Sequence, residues 1–356
     1  MAAELLPVRS IRIDDADLEE IRSNAWGKAF KPVELTREGQ SYKGTFGLRG
    51  GHTRNYSKKS YEVRLENGVT LHWNAEYDDP SMMRNALSFH FLNDIGLPSP
   101  ETNHFWLMIN DVPQGVYLEI ESVDRLFFAK RKIGFRSLIY AVNDSADFSL
   151  IDPDTRKAKS SLFDGYEIMH GGRSTKGKLV SFIRNLNRMS GKSLGAFTVR
   201  RLDIPQYLLW LAGAVLTGNY DGFDQNYAIY EFQKTGKYRI IPWDYEGTWG
   251  RNCYGKPCGS DLVRLQGYNK LTSKLFAFPS CRRRYKAILK RLLQSAFTVD
   301  RLEPVIRSMH ERLSPAIRND YTRKASFDTF LSEPEFIQDY ILERRQILKQ
   351  ALRDWN

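Results

Sequence analysis

The sequence has few cysteines and no long apolar run, and both shortages narrow what the protein can be. Its 356 residues include three cysteines, at 253, 258 and 281, too few for a disulfide framework. Cys253 and Cys258 form a C-x4-C pair without a neighbouring histidine, which is a weak zinc signal. No stretch approaches the roughly 20 apolar residues of a membrane helix, and residues 1–7 lack the basic start and apolar core of a signal peptide. We therefore expect a cytoplasmic protein with no signal peptide and no membrane partner.

Recognisable nucleic-acid-binding motifs are also missing, although the chain is basic. The formal net charge of +11 favours anionic partners such as nucleotide phosphates, nucleic acid or acidic surfaces. The excess is spread along the chain, and no RNP, zinc-finger or helix-turn-helix pattern is present, so nucleic acid is not expected. A hydrophobic content of 42% in a chain of this length predicts a globular protein large enough for two lobes.

The first part of the chain is predicted to be mostly antiparallel strands. Strands are expected at 8–13, 32–36, 60–65, 104–109 and 115–120, with a helix that begins at Asp14. Residues 42–54 are rich in glycine and basic side chains. Such a loop can bring backbone N–H groups, with Arg49, Lys58 or Lys59, onto phosphates.

One helix in this first part has clear start and stop signals. Asp79 is the expected N-cap, Pro80 suits the first turn, and Gly96 ends the helix. A basic residue near a helix start is disfavoured by the helix dipole, so Arg84 should have an anionic partner. The sequence leaves two partners open, a carboxylate of the protein or a nucleotide phosphate.

The second part of the chain is predicted to be mostly helical. An amphipathic helix is expected at 178–190, a helix that is apolar nearly all round at 204–217, and further helices near 283–297, 300–318 and 334–354. Residues 143–159 are polar and irregular. The predicted fold class is therefore α+β, with an N-lobe at 1–140 and a C-lobe at 141–356 forming one functional unit.

The apolar helix leads directly into Gly218-Asn219-Tyr220-Asp221, and a hairpin from 226 to 241 follows. A three-residue hairpin loop with left-handed Gly236 would place Asn226 opposite Asp244 on one face. Amide and carboxylate oxygens suit Mg²⁺ or Mn²⁺, and Asp221 lies where it can act on an acceptor hydroxyl. This order of groups, a base and then two metal ligands, is what phosphoryl transfer from a metal-bound nucleotide requires.

Two aromatic residues are candidates for stacking on the purine ring of a nucleotide. Trp243 directly precedes Asp244, and Tyr140 lies at the predicted lobe junction. The structural alternatives are that Trp243 is a core residue, that Asp221-Gly222 is only a turn, and that Asn226 caps a strand.

The sequence resembles the CotH kinase family of spore coat proteins over about residues 45–250. The resemblance lies in motifs that occur in family order: Arg49-Gly50, Lys58-Lys59-Ser60-Tyr61, the segments 79–85 and 96–98, Gly115-Val116-Tyr117, 218–227 and 242–246. It implies a divergent two-lobed protein-kinase-like fold and an atypical kinase that uses ATP with Mg²⁺ or Mn²⁺ to phosphorylate Ser/Thr of Ser-rich coat proteins. It also implies a location in the mother-cell cytoplasm and the spore coat.

Carried over by position, the family assigns Asp221 as the catalytic residue and Asn226 and Asp244 as metal ligands. Lys59 is the expected phosphate-contacting lysine, with Arg49 and Arg84 as further anion contacts. The GxGxxG, HRD, DFG and APE motifs of ordinary kinases are missing. Two other functions stay open: a metal-dependent phosphoesterase or nuclease that uses Asp221, Asp244 and Glu246, and a structural coat protein without catalysis.

Overall fold

A computed structural model describes residues 6–355, which fall into two compact units. The described part of the barrel unit consists of residues 6–87, Pro100–Ser122 and Glu303–Glu335. The described part of the helical unit consists of Ser88–Ser99, Val123–Leu302 and residues 336–355. The prediction that the chain has no signal peptide rests on residues 1–7, and residues 1–5 lie outside the described residues. These two units are defined by contacts between Cα atoms and are not continuous in sequence. They do not test the predicted lobes at 1–140 and 141–356, which stay a prediction.

The barrel unit is built on a closed barrel of antiparallel strands, completed by one parallel pair, β1 with β6. Its strands are β1 (Val8–Arg12), β2 (Lys31–Arg37), β3 (Gln40–Leu48), β4 (Tyr61–Leu65), β5 (Thr70–Asn74), β6 (Thr102–Ile109) and β7 (Val112–Glu121). Alternate residues point inward, so that Leu35, Phe46, Val63, Trp73 and Phe105 are fully buried. Helix α1 (Asp15–Ser23) begins as predicted, because Asp14 accepts hydrogen bonds from the first-turn N–H groups.

Helix α2 (Arg84–Asp94) begins later than its sequence signals predict. Asp79 does act as a capping residue, because its carboxylate accepts from the N–H groups of Ser81 and Arg84, each at 2.9 Å. Met82, however, has a left-handed φ of 58° and interrupts the helix before Arg84. The predicted start at Asp79 and Pro80 is therefore wrong by one turn. Gly96, with φ of 89°, ends the helix as predicted.

His104 on β6 makes the stability of the barrel unit depend on pH. Its Nε2 lies 2.7 Å from the carbonyl oxygen of Met82, and the ring is fully buried. Burial, assisted by Arg312, lowers the pKa of His104 to about 4 against the hydrogen bond to Met82. Because an unfolded chain binds this proton from about pH 6.5 downward and the folded chain does not, acid favours unfolding. We expect a loss of about 2 kcal/mol between pH 7 and pH 5.

Urea unfolding of the wild type and of His104→Gln at the two pH values measures this loss. Glutamine can donate to the Met82 carbonyl but does not titrate, so its pH dependence should be shallower by the same amount. Equal slopes for the two proteins would show that His104 does not carry the effect.

The helical unit contains a four-stranded antiparallel sheet in the order β11-β10-β8-β9. The strands are β8 (Phe135–Ala141), β9 (Tyr166–His170), β10 (Tyr227–Phe232) and β11 (Tyr238–Pro242). The sequence predicted the β10–β11 pair, whereas β8 and β9 were not predicted.

Helices make up most of the rest of the chain. They are α3 (Arg125–Lys130), α4 (Thr175–Arg188), α5 (Gly191–Arg201), α6 (Ile204–Thr217), α7 (Lys270–Leu275), α8 (Pro279–Ser295), α9 (Val299–Arg318) and α10 (Phe327–Asp354). Between residues 6 and 355, none of the helices has the length and apolar character needed to span a membrane. The strand-rich first part and the helix-rich second part confirm the predicted α+β class.

Candidate active site

Helix α6 ends where the predicted catalytic stretch begins. Gly218 has a left-handed φ of 72°, and a Cβ atom there would lie 2.4 Å from the hydroxyl of Tyr340. That hydroxyl donates to the carbonyl oxygen of Leu216 at 2.9 Å, so glycine is required both for the turn and for the close approach. The chain then makes one 3-10 turn, Tyr220–Gly222, which holds Asp221 half-buried at the end of a buried helix.

The Asp221 carboxylate is oriented by two side chains of its own loop. Gln225 Nε2 donates to Oδ1 at 2.9 Å, and Asn226 Nδ2 donates to Oδ2 at 3.1 Å. The predicted base and the first predicted metal ligand are therefore in direct contact. In this orientation the side-chain amide oxygen of Asn226, Oδ1, accepts no hydrogen bond from residues 6–355. Gln225 is an orienting residue that the sequence did not reveal.

The hairpin register differs from the predicted one by a residue. Tyr227 pairs with Pro242, and the Phe232 N–H donates to the carbonyl oxygen of Lys237 at 2.9 Å. The loop is thus four residues long, although Gly236 is left-handed as predicted. Asn226 stands opposite Trp243, whose N–H donates to its carbonyl oxygen at 3.0 Å. The prediction that Asn226 faces Asp244 directly across the ribbon is wrong.

Both predicted metal ligands lie at the open end of the hairpin, just beyond the paired residues. Asn226 has φ of 58° and Asp244 has φ of 54°. Asparagine and aspartate are the residues that tolerate this left-handed conformation best after glycine. Because the chain leaves the extended conformation at both positions, the alternation of strand side chains no longer decides which way they face.

The thiol of Cys253 is affected by three acidic side chains of this region. Burial, and then the carboxylates of Asp221, Glu246 and Asp244, raise the pKa of the Cys253 thiol to about 11. The three acidic residues selected from the sequence therefore all lie within electrostatic range of one thiol.

The donor set near the hairpin fits a hard divalent cation that arrives with phosphates. In the described chain no group of three or more His, Cys, Asp or Glu side chains is arranged as a metal site. Mg²⁺ in kinase-type sites takes one or two protein carboxylates and completes its shell with waters and substrate phosphates. The amide oxygen of Asn226 and the carboxylate of Asp244 are donors of this kind.

A second acidic group follows Asp221 in the same loop. Burial, and then the carboxylates of Asp147, Asp144 and Asp221, raise the pKa of Asp224 to about 6. Lys159 opposes this effect and donates to Asp147 at 2.7 Å. The irregular segment 143–159 thus contributes charges beside the catalytic loop. The sequence did not predict this, because the two segments are far apart in the chain.

The two aromatic residues predicted to contact a purine lie together in the helical unit. The rings of Tyr140 and Trp243 are stacked, with centroids 6.1 Å apart and planes at 26°. Both rings pack at the edge of a core cluster that includes Phe128 and Ile241. Tyr140 is fixed by its hydroxyl, which donates to the carbonyl oxygen of Val123 at 2.8 Å.

The basic residues predicted to contact phosphates lie in the barrel unit. Arg49 donates to the side chain of Asn74, and Lys59 donates to the carbonyl oxygen of Arg54 at 2.6 Å. Lys59 also lines a pocket of about 470 Å³. The other basic side chains on that pocket are Arg22, Lys58 and Arg323.

Lys58, the neighbour of Lys59, is buried and paired with a carboxylate. Its Nζ lies 3.1 Å from Asp320 Oδ2 and 2.8 Å from the carbonyl oxygen of Val116. Burial lowers the pKa of Lys58 to about 8, against the opposing effect of Asp320. Of the two adjacent lysines, Lys59 is therefore the more accessible to a phosphate group.

Arg84 has protein carboxylates as its partners, one of the two alternatives that the sequence left open. Its guanidinium lies 2.6 Å from Asp79 and 2.7 Å from Glu333, and all three side chains are at most 1% exposed. Burial alone would lower the pKa of Arg84, but the two carboxylates together raise it. The arginine joins α2 to α10 within the barrel unit. The prediction that Arg84 contacts a nucleotide is not tested directly, but the two carboxylates bound to its guanidinium do not favour it.

Comparison with known proteins gives matches along nearly the whole chain. The model of the family described as CotH kinase protein matches residues 46–348. An inner spore coat protein H from Bacillus subtilis is 38% identical over 353 residues, covering 98% of each chain. An inner spore coat protein H-like protein from the same organism is 27% identical over 299 residues, 83% of this chain and 85% of its own.

A solved structure of a Helicobacter pylori proinflammatory kinase is a more distant match. It has 13% identity and a TM-score of 0.33, and the match covers 81% of this chain and 90% of that one. A TM-score at this level carries no weight for the fold. The relationship of this chain to known proteins therefore rests on the family match and on the two Bacillus relatives.

Proposed function

Since this chain belongs to the CotH kinase protein family, we propose that it transfers the γ-phosphoryl group of ATP to Ser or Thr hydroxyls of Ser-rich spore coat proteins. The observation that carries the proposal is the Asp221 carboxylate, held by Gln225 and Asn226 at the end of a buried helix. By analogy with the name of its Bacillus relative, we place the protein in the spore coat.

In this proposal Asp221 orients the acceptor hydroxyl and accepts its proton as transfer proceeds. The two hydrogen bonds to its carboxylate fix its direction before a substrate binds, which reduces the cost of orienting it later. Asn226 and Asp244 would hold Mg²⁺ or Mn²⁺. A cation bound there supplies charge neutralisation of the nucleotide phosphates.

The remaining assigned residues would bind ATP itself. Lys59 and Arg49 are proposed to contact its phosphates, and Tyr140 and Trp243 its adenine ring. A ring inserted between the two aromatics needs about 7 to 8 Å, two carbon–carbon contact distances. Their centroids are 6.1 Å apart, so binding between them would require a small separation of the pair.

Transfer of label from γ-labelled ATP to a Ser-rich protein, with Mg²⁺ or Mn²⁺, tests the proposal. We expect label on the protein and none when the metal is removed with EDTA. Absence of label under all metal conditions would refute the kinase. Release of labelled phosphate without any acceptor would instead favour the phosphoesterase, which would use Asp221, Asp244 and Glu246.

Replacing Trp243 by alanine tests the adenine contact. Because stacking of a base on an aromatic side chain contributes about 1–3 kcal/mol, we expect the KM for ATP to rise by about 5- to 150-fold. Trp243→Phe keeps an aromatic face and is the matched control, with a smaller rise expected. An unchanged KM in Trp243→Ala would remove this residue from the nucleotide site.

A further inference from the structure

Helix α8 carries a strongly basic surface that the proposed function does not use. Its 17 residues contain no aspartate or glutamate. Its six cations cover about half of the helix circumference: Arg282, Arg283, Arg284, Lys286, Lys290 and Arg291. The other half is buried and apolar, and α8 packs against α6 within the helical unit. Because the apolar face is already covered, α8 is not a helix that inserts into a membrane surface.

Within residues 6–355, four of these cations have no anionic partner. Arg283, Arg284, Lys290 and Arg291 are exposed. For residues 6–355, none of their side chains forms an ion pair or a hydrogen bond. Lys286 is four residues from both Arg282 and Lys290, and like charges at this spacing destabilise a helix. An anionic partner would relieve this repulsion.

The first turns of α8 also form one wall of a pocket. This pocket has a volume of about 370 Å³ and is lined by Pro279, Arg282, Arg283, Lys286 and Trp355. Two of the cations are held in place. Arg282 donates to the carbonyl oxygen of Phe276 at 2.6 Å, and Lys286 donates to that of Trp355 at 2.5 Å. Three cations around a confined space favour a compact, highly charged group.

We propose that α8 is a docking surface for phosphoserine-bearing segments of the protein substrate. This proposal rests on the proposed kinase function, since that reaction produces such segments. A phosphoserine carries a charge of about −1.5 to −2 and three acceptor oxygens, which match arginine and lysine donors. The stripe from Arg282 to Arg291 spans about 14 Å along the helix, or about four residues of an extended peptide. It can therefore hold two neighbouring phosphoserines.

This docking surface gives the site a preference among substrates. Helix α6 carries the Asp221 loop at its end, and α8 packs on α6, so the docking surface and the catalytic loop are both attached to α6 within the helical unit. A substrate that already bears phosphate is retained on the unit that carries Asp221, which favours proteins with many clustered serines.

The test compares binding of two synthetic Ser-rich peptides, one with two phosphoserines and one unmodified, measured without ATP. The full-length wild type should bind the phosphorylated peptide at least about tenfold more tightly. In the variant Arg283→Gln, Arg284→Gln, Lys290→Gln, Arg291→Gln this preference should disappear. Glutamine is compatible with a helix, and these exposed side chains form no ion pair or hydrogen bond within residues 6–355, so folding should be unaffected.

The matched control removes the same number of charges from exposed positions of α4 and α5: Arg184→Gln, Arg188→Gln, Lys192→Gln and Arg200→Gln. It should keep the preference to within about twofold, since net charge changes equally in both variants. Equal binding of the two peptides by the wild type, or equal loss in both variants, would overturn the proposal. Tighter binding of a short DNA duplex that depends on α8 would replace it with a nucleic-acid surface.

The two proposals fail separately. Label transfer by the wild type without any phosphopeptide preference refutes the docking surface alone. Phosphopeptide binding through α8 without label transfer refutes the kinase and leaves the surface in place.

Discussion

Replacing Asp221 by asparagine is expected to lower phosphoryl transfer by at least about 100-fold while leaving the fold intact. The reason is chemical, because an amide cannot accept the proton of the acceptor hydroxyl. The shape is preserved, since the amide oxygen still accepts from Gln225 or Asn226. Label transfer to a Ser-rich protein measures the rate, and thermal unfolding checks the fold. ATP binding should change little if the residue acts on the hydroxyl alone.

Asp224→Asn is the control for this variant. It removes a carboxylate from the same loop, three residues away, without breaking the contacts to Gln225 and Asn226. We expect a loss much smaller than that of Asp221→Asn. Equal losses of transfer rate in the two variants would mean that the reaction depends on the total negative charge of the loop and not on Asp221 as a specific base. Full activity in Asp221→Asn would remove this residue from catalysis.

The site stretch shows which parts of an active site a sequence can predict. Helix α6, its end at Gly218 and the two strands after Asp221 follow from local patterns, and the structure confirms all of them. The register failed because the loop holds four residues where three were counted. If the loop of a hairpin is one residue longer, each residue of one strand stands opposite a different residue, whose side chain is on the other face. Local sequence only weakly determines the loop length.

The elements that the sequence missed depend on contacts between distant segments. Strand β8 pairs with β10, about 90 positions later, and β9 has a mostly exposed surface with no clear alternation. The barrel unit includes Glu303–Glu335, far from its strands in the chain. No local pattern reveals such a return. Five of the seven barrel strands were predicted from alternation or turns. Strand β5 was not, and β3 occupies residues 40–48, so the predicted loop at 42–54 is wrong for its first half.

Partners of buried charges are also set by tertiary contacts. The helix dipole argument predicted correctly that Arg84 needs an anion, and the capping argument predicted the role of Asp79. Glu333 could not have been selected, because it lies about 250 residues away. Only the structure could therefore show that the anionic partner of Arg84 is a protein carboxylate and not a phosphate.

Replacing Arg84 by methionine is expected to destabilise the barrel unit by about 3–5 kcal/mol. The change removes the cation that the carboxylates of Asp79 and Glu333 both contact, and both carboxylates are 0% exposed. Removing one partner of a buried ion pair costs far more than removing an exposed pair, since the remaining charge is not solvated. Arg307→Met, which breaks an exposed pair with Glu303, is the control and should show little change. Urea unfolding measures the difference.

Two further variants separate a structural role of Arg84 from a role in nucleotide binding. Glu333→Gln removes one of the stranded charges, so adding it to Arg84→Met should recover part of the lost stability. Arg84→Lys keeps a cation but loses the second arm of the guanidinium, so it should fold with an intermediate stability. If Arg84 instead binds a phosphate, Arg84→Lys should raise the KM for ATP while its unfolding curve matches that of the wild type. Because both guanidinium arms are engaged by carboxylates, we expect the loss of stability and an unchanged KM.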